Sequence, residues 1–291
     1  MAAASRTLAP VLVTALLATT VAGCAPTRDT SGGATPDASA RACAKASLKT
    51  LKPGTLTIGT DDPVYPPWFS DNKPDNGKGF ESAVAYAVAD QLGYGRGEVT
   101  WVRVTFNNAI APGPKPYDVD INEFSITEER RKAVDFSSPY YDVRQAVVAL
   151  KTSKIAGAKS VQDLAAGKLG AQVGTTSYKA ITEVVKPTVA AQVYNSNDDA
   201  KEALKAGQVD GIVVDLPTAY YIAGPEIADA LIAGTLPQPS GQPEQFGLVL
   251  DKGSPLTSCV SRAVEALRGE GRLAQTQQRW LSQETGTPEL K

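Results

Sequence analysis

Between positions 56 and 106 the spacing of the apolar residues changes twice, and this restricts the fold more than any other feature. Residues 56–60 read as a short apolar strand. Over 80–92, Phe80, Val84, Ala87, Val88 and Leu92 recur at helical spacing, and Gly93 stops the helix. Residues 99–106 then alternate as a strand. Strand, helix and strand in that order form the unit of a parallel sheet with right-handed crossovers. The predicted class is α/β. A strand over 142–150 and a connection over 151–159 lead into a second series. It comprises a helical turn at 161–165, a strand at 168–173 and a helix at about 177–185. A strand at 191–194, a helix at 197–206, a buried strand at 211–214 and a helix at 216–222 follow. A strand at 246–250 and helical chain over about 255–281 close the reading.

The run from Tyr117 to Arg130 (YDVDINEFSITEER) carries the most chemistry. It reads as a strand that stops at Phe124 and hands over to a helix. Ser125 and Glu128 match a capping box, and Thr127 is a second candidate cap. Glu128 and Glu129 suit a helix start, whereas the cation Arg130 does not. A carboxylate held by Ser125, backbone N–H groups and the Arg130 guanidinium accounts for it. A surface Arg on a solvated helix face is the alternative.

The length of 291 residues allows one or two domains with a sizeable core. Charge is nearly balanced at a net −2, so nothing points to nucleic acid. The chain has no histidine, which removes Ser-His-Asp and Cys-His catalysis and every metal site that needs imidazole. Residues 1–23 read as a targeting segment, with Arg6 before an apolar run over 8–22 that is short for a bilayer span. Val21-Ala22-Gly23-Cys24 resembles the lipobox of bacterial lipoproteins, in which Cys24 is lipidated; a plain secretory peptide is the alternative. Residues 25–42, rich in Ala, Thr, Ser, Gly, Pro and Asp, read as a flexible tether. Cys43 and Cys259 remain, and in an exported chain they read as a disulfide, with two buried thiols as the alternative.

Taken in order, these pieces resemble the extracellular solute-binding proteins of bacterial amino-acid ABC importers, family 3. Ser125 to Arg130 (SITEER) and Val134 to Tyr140 (VDFSSPY) carry most of the likeness. Leu56 to Asp61, Pro63 to Trp68, Gly79-Phe80-Glu81, Gly174-Thr175-Thr176, Gly207 to Asp210 and Val213-Val214-Asp215 extend it over roughly 55–281. The resemblance implies a periplasmic-binding-protein type II fold of two α/β lobes. Lobe 1 would span 43–150 plus 246–291 and lobe 2 would span 151–245. Two crossings, near 150–152 and 241–246, would form a hinge, with the ligand cleft between the lobes.

The resemblance also implies roles. Arg130 would grip the α-carboxylate of an amino acid, with Ser125, an amide of Phe124 or Ser125, and Thr176 from the other lobe. Thr175 and Thr176 could equally be helix caps. Asp215 would hold the α-ammonium, or alternatively cap the helix at Leu216-Pro217. Tyr65 and Phe106 would place rings round the ligand side chain; Trp68 would join them or pack in the core. Asp61 is preferred to Asp62 as the loop carboxylate. Two departures stand out. Glu123 occupies a place where many relatives have Gly, Ala or Ser, and Asp120 lies inside a strand that should be buried. Residues 111–116 (APGPKP) forbid the longer helix usual there.

The expected protein is therefore a monomeric, lipid-anchored receptor on the outer face of the bacterial cell membrane. It would need no cofactor or metal, bind a small, polar L-amino acid and deliver it to a membrane permease. The rival is an enzyme on the same fold resembling secreted cyclohexadienyl dehydratases, with Glu123 or Asp120 as acid or base. A sensor domain would need a transmembrane helix after the domain, and a peptidoglycan-cleaving relative would need a further catalytic domain.

Overall fold

Two five-stranded sheets carry the chain. In the computed structural model the described residues are 41–238, 241–281 and 286–291. The expected leader at 1–23, Cys24 and the tether up to residue 40 lie outside the described residues. In the first sheet β1 (Leu56–Thr60) pairs in parallel with β2 (Val99–Arg103) and β3 (Val119–Asp120). All five residues of β1 are buried, as a central parallel strand covered on both faces requires. The helix Phe80–Gln91 makes the crossover, and Gly93 follows it at φ +82°. β4 (Val134–Phe136) joins through β12 (Val249–Asp251), which runs antiparallel to β3 and β4. Phe80, Phe69, Trp68 and Phe246 fill this lobe's core with Val260, Val264 and Leu267 of the helix Thr257–Gly269.

The second sheet has the order β10, β6, β9, β7, β8. Here β7 (Leu169–Gln172) lies parallel to β8 (Gln192–Tyr194) and β9 (Gly211–Asp215). β6 (Gln145–Leu150) runs antiparallel between β9 and β10 (Ala230–Thr235). Between the sheets β5 (Tyr141–Val143) and β11 (Glu244–Phe246) form a two-stranded ribbon. The two crossings are therefore hydrogen-bonded to each other.

Three lobe and element boundaries differ from expectation. The strand expected over 142–150 breaks at Arg144, whose carbonyl accepts from Leu216 N. Its second half, β6, belongs to the second sheet, so the first crossing lies near 143–145 and not at 150–152. The end of the chain also leaves lobe 1. Leu290 packs with Val147, Ala149 and Leu236, and its N–H donates to Thr235 O at 2.9 Å. Gly234 makes the room, since a Cβ there would stand 2.7 Å from Leu290. The helix expected after Phe124 is absent. Ser125 pairs with Phe246 in a β-bridge, and only a 3₁₀ turn, Arg130–Lys132, fits before β4. Neither Ser125 nor Thr127 is the N-cap, a position held by Glu129, although Thr127 Oγ1 accepts from Arg130 N at 3.1 Å.

Smaller differences have local causes. Phe106 opens the five-residue helix Phe106–Ile110 instead of ending β2. The helical chain after 255 divides at Gly271, at φ +72°, into Thr257–Gly269 and Arg272–Trp280. Strand β10 was not expected at all. Cys43 and Cys259 form a disulfide with Cα atoms 5.3 Å apart, tying the first described residues to the helix Thr257–Gly269.

Candidate functional site

A cavity of about 190 Å³ lies where the carboxyl ends of β1, β7 and β9 face one another across the two sheets. That is where open α/β sheets bind small ligands. Of the expected site residues, Arg130, Asp215, Ser125, Thr176, Thr175, Phe106, Tyr65, Asp61 and Glu123 line it. Phe124 and Trp68 do not.

Arg130 is the chemical centre. The short 3₁₀ turn tucks it inward, leaving it 8 % exposed. Its guanidinium donates to Ser125 O at 2.7 Å and, across the cleft, to Gly174 O at 3.0 Å. It also lies 5.2 Å from the centre of the Phe106 ring. Among the described residues no carboxylate reaches ion-pair distance of it. A buried cation bonded only to neutral carbonyls is a site prepared for an anion.

Asp215 ends β9 and precedes the helix Leu216–Ile222, yet its side chain makes no cap hydrogen bond. The capping alternative therefore does not apply. Its Oδ1 accepts from Gln145 Nε2 at 2.7 Å. Burial, and next the charge of Glu244, push its carboxyl well above the ordinary range, against the pull of Gln145 and Arg130.

The threonines divide their work. Thr175 Oγ1 accepts from Tyr178 N at 3.1 Å and donates to Gln172 O at 2.7 Å, so its hydroxyl is spent on capping. Thr176 Oγ1 instead meets Ser125 Oγ at 3.1 Å from the opposite lobe.

Asp61 is the loop carboxylate that the cavity encloses. It accepts from Asp62 N at 2.7 Å and Phe106 N at 3.2 Å, and burial raises its carboxyl above the ordinary range. Asp62 also lines the cavity but stays exposed, 3.8 Å from Arg103. Phe106 stacks on Phe124 with ring centres 4.9 Å apart. Phe124 is thus the support beneath the ring and not a lining residue. Trp68 is likewise corrected: it sits in the core against Phe80, Tyr141 and Phe246. Its Nε1 donates to Thr218 Oγ1 at 2.8 Å, which donates to Glu123 Oε2 at 3.0 Å. Trp68 therefore acts on the cleft through Thr218.

Glu123 stands at φ +55°, a conformation that glycine adopts without cost. Burial, then the charges of Glu81 and Asp215, push its carboxyl well above the ordinary range. The second departure, Asp120, is fully buried on β3, and neither of its oxygens has a hydrogen-bond partner among the described residues. Asp120 does not line the cavity.

The lobes are held together across the cleft. Besides the Ser125–Thr176, Arg130–Gly174 and Trp68–Thr218–Glu123 bonds, Tyr65 donates to Asp198 and Lys179 pairs with Glu129. Four acids (Asp61, Asp62, Glu123, Asp215) face one cation (Arg130) among the lining residues.

Sequence reasoning missed Gln145, Glu244 and Thr218. Gln145 is the junction: Nε2 donates to Asp215 and to Glu244 at 3.1 Å, while Oε1 accepts from Ser177 at 2.6 Å. A lone glutamine opening an apolar strand (QAVVAL) was the available signal. Thr218 and Glu244 had none, because only the closed cleft brings them to the site.

The profile of bacterial extracellular solute-binding proteins, family 3, matches residues 56–283. The L-arginine-binding protein of Pseudomonas aeruginosa is 29 % identical over 250 residues, covering 78 % of this chain and 90 % of that protein. The ABC-transporter glutamine-binding protein of Bacillus subtilis is 28 % identical over 225 residues, covering 74 % and 78 % respectively. Among solved structures, an ancestral arginine-binding protein bound to arginine superposes with a TM-score of 0.65 at 32 % identity. That match covers 78 % of this chain and 98 % of the other.

Proposed function

The chain belongs to family 3 of the bacterial extracellular solute-binding proteins, and from that premise we propose how it recognises its amino acid. It is a substrate-binding receptor of an amino-acid ABC transporter and not an enzyme. The observation that carries the binding scheme is the buried Arg130 guanidinium, without a carboxylate partner, lining the same cavity as Asp215. The ligand α-carboxylate lies against Arg130 with Ser125 and Thr176. The α-ammonium lies against Asp215, held in place by Gln145. Phe106 and Tyr65 flank the side chain.

The side chain of the ligand is cationic. The α-groups leave Glu123 and Asp61 in the cavity with carboxyls raised by burial, and a cationic side chain supplies the counter-charge that favours their ionised form, whereas a neutral one does not. Glu123 and Asp61 are the acids free for that role, since Asp215 takes the ammonium and Asp62 stays exposed. The name of the Pseudomonas aeruginosa relative supports arginine, while that of the Bacillus subtilis relative supports a neutral amide. Glu123 and Asp61 favour the first.

Recognition works by closure. Arg130, Ser125 and Glu123 come from one lobe and Thr176 and Asp215 from the other, so all contacts coexist only when the cleft is shut. A lipid on Cys24, after removal of residues 1–23, would hold a monomeric receptor near its permease. The test is calorimetric titration with L-arginine, L-lysine, L-citrulline and L-glutamine. Arginine or lysine binding at least about tenfold tighter than citrulline, an uncharged isostere of arginine, is the expected result. Tighter binding of citrulline or glutamine would refute the cationic reading, and no binding of any amino acid would refute the ligand scheme.

A further inference from the structure

The left-handed Glu123 needs something to hold it, because a side chain at positive φ is strained. The holder lies behind the cleft. Glu81, 42 positions earlier and at the start of the helix Phe80–Gln91, is fully buried. Its Oε1 accepts from Glu123 N at 2.7 Å and also from the Tyr140 hydroxyl. Its Oε2 has no hydrogen-bond partner among the described residues. No cation accompanies it among the described ion pairs, so Glu81 is an acceptor and not half of a salt bridge.

We infer that Glu81 is a positioning residue for ligand selectivity: by accepting the Glu123 amide proton it keeps Glu123 in the conformation that presents its carboxylate to the cleft. The inference rests on the proposed role of Glu123 as partner of the ligand's cationic group. Three contacts define the device. Glu81 fixes the Glu123 backbone from inside lobe 1, Thr218 fixes Oε2 from lobe 2, and Trp68 fixes Thr218. Without Glu81 the Glu123 amide is left without this acceptor, and the residue relaxes to negative φ, turning its side chain. The loss falls on ligands with a charged side chain. The α-carboxylate and α-ammonium contacts, made by Arg130 and Asp215, stay in place.

Two measurements on the full chain test this. The first needs no ligand. Burial raises the Glu81 carboxyl to about 7, against the hydrogen bonds of Tyr140 and Glu123. The charged or titratable groups that act on it or feel it are Tyr140, Glu123, Asp120 and Asp215. The Glu123 amide proton resonance should therefore move with pH around neutrality, and Glu81→Gln should remove that movement. The same movement in wild type and Glu81→Gln would overturn the contact. The second is the affinity for L-arginine against L-citrulline. Glu81→Leu should cut the preference for arginine at least about tenfold, as Glu123→Gln should, with citrulline affinity changed less than about threefold. Glu81→Gln, which keeps an acceptor oxygen, should restore the preference. Equal losses for both ligands, or no loss, would overturn the positioning role. If Glu81→Leu does not fold, the amide measurement and Glu81→Gln decide. If wild type binds no amino acid, the ligand reading falls while the amide measurement still decides the contact.

Discussion

Replacing Arg130 by methionine separates the binding scheme from general stability. Methionine retains most of the side-chain volume and can lie on Phe106, so the loss is chiefly electrostatic. In the closed structure the guanidinium makes two hydrogen bonds, one to Ser125 O within its own lobe and one to Gly174 O across the cleft. Only the second, with the ligand carboxylate, depends on closure. Truncating one partner of a buried charge pair costs about 2–5 kcal/mol of binding. The lost bond to Gly174 adds about 1–2 kcal/mol against the closed state. Together they predict an affinity loss of roughly 10²-fold to 10⁵-fold. The intralobe loss is one hydrogen bond, so the ligand-free melting temperature should fall by only about 2–6 °C. Calorimetric titration and ligand-free thermal unfolding of the same preparation read the two effects separately. Arg130→Lys keeps the charge without the planar fork and should recover only part of the affinity. A folded Arg130→Met protein that binds within about threefold of wild type would refute the carboxylate role and leave the guanidinium as a tie between carbonyls.

Three further outcomes follow from the geometry. Gly174, at φ +75°, would bring a Cβ to 2.6 Å from Asn107 Oδ1, the movable end of a side chain, so Gly174→Ala should cost about 1–2 kcal/mol in urea unfolding through its backbone conformation; an unchanged unfolding free energy would refute that strain. Cys43→Ser with Cys259→Ser opens a loop with a sequence separation of 216, and the loop-entropy relation sets a loss of about 5 kcal/mol in urea unfolding. A loss below about 1 kcal/mol would mean the reduced chain remains docked without the bridge. Glu81, raised by burial to about 7 in the fold from an ordinary 4.5, binds its proton more tightly folded than unfolded. Its contribution is fully present below about pH 4.5 and lost as pH rises through about 7, an effect of roughly 3 kcal/mol. The stability of Glu81→Gln relative to wild type should therefore increase by up to about that amount between pH 5 and pH 8, and a flat difference would refute the assignment.

The α/β class was legible from local pattern alone. The helical spacing of Phe80, Val84, Val88 and Leu92 between two strands admits one arrangement, a parallel pair with a crossover. Arg130, Asp215, Ser125 and Thr176 were legible as a group only through the resemblance to family 3, since the residues alone left a surface Arg and helix caps as alternatives. Boundaries that depend on partners were not. Residues 142–150 mix Asp142, Arg144 and Gln145 with the apolar run 146–150, a pattern that does not say which sheet each half joins, and only pairing with β9 and β10 assigns the second half to the other sheet. The missing helix after Phe124 has the same origin: its capping-box signal is real, but Ser125 is claimed by Phe246 across a bridge.

The amino-acid sequence by itself thus determined the α/β class and most of the elements, because these follow from periodicity, and its motifs named the charged residues at the cleft through their resemblance to family 3. Tertiary structure alone decided the contacts separated by long stretches of chain. Those are Trp68 with Thr218 rather than the ligand, Glu81 beneath Glu123, Gln145 between Asp215 and Glu244, and Leu290 against the second sheet. Each joins residues with no local spacing to betray them, and burial makes hydrogen bonding of their polar groups obligatory only once both ends have been brought together.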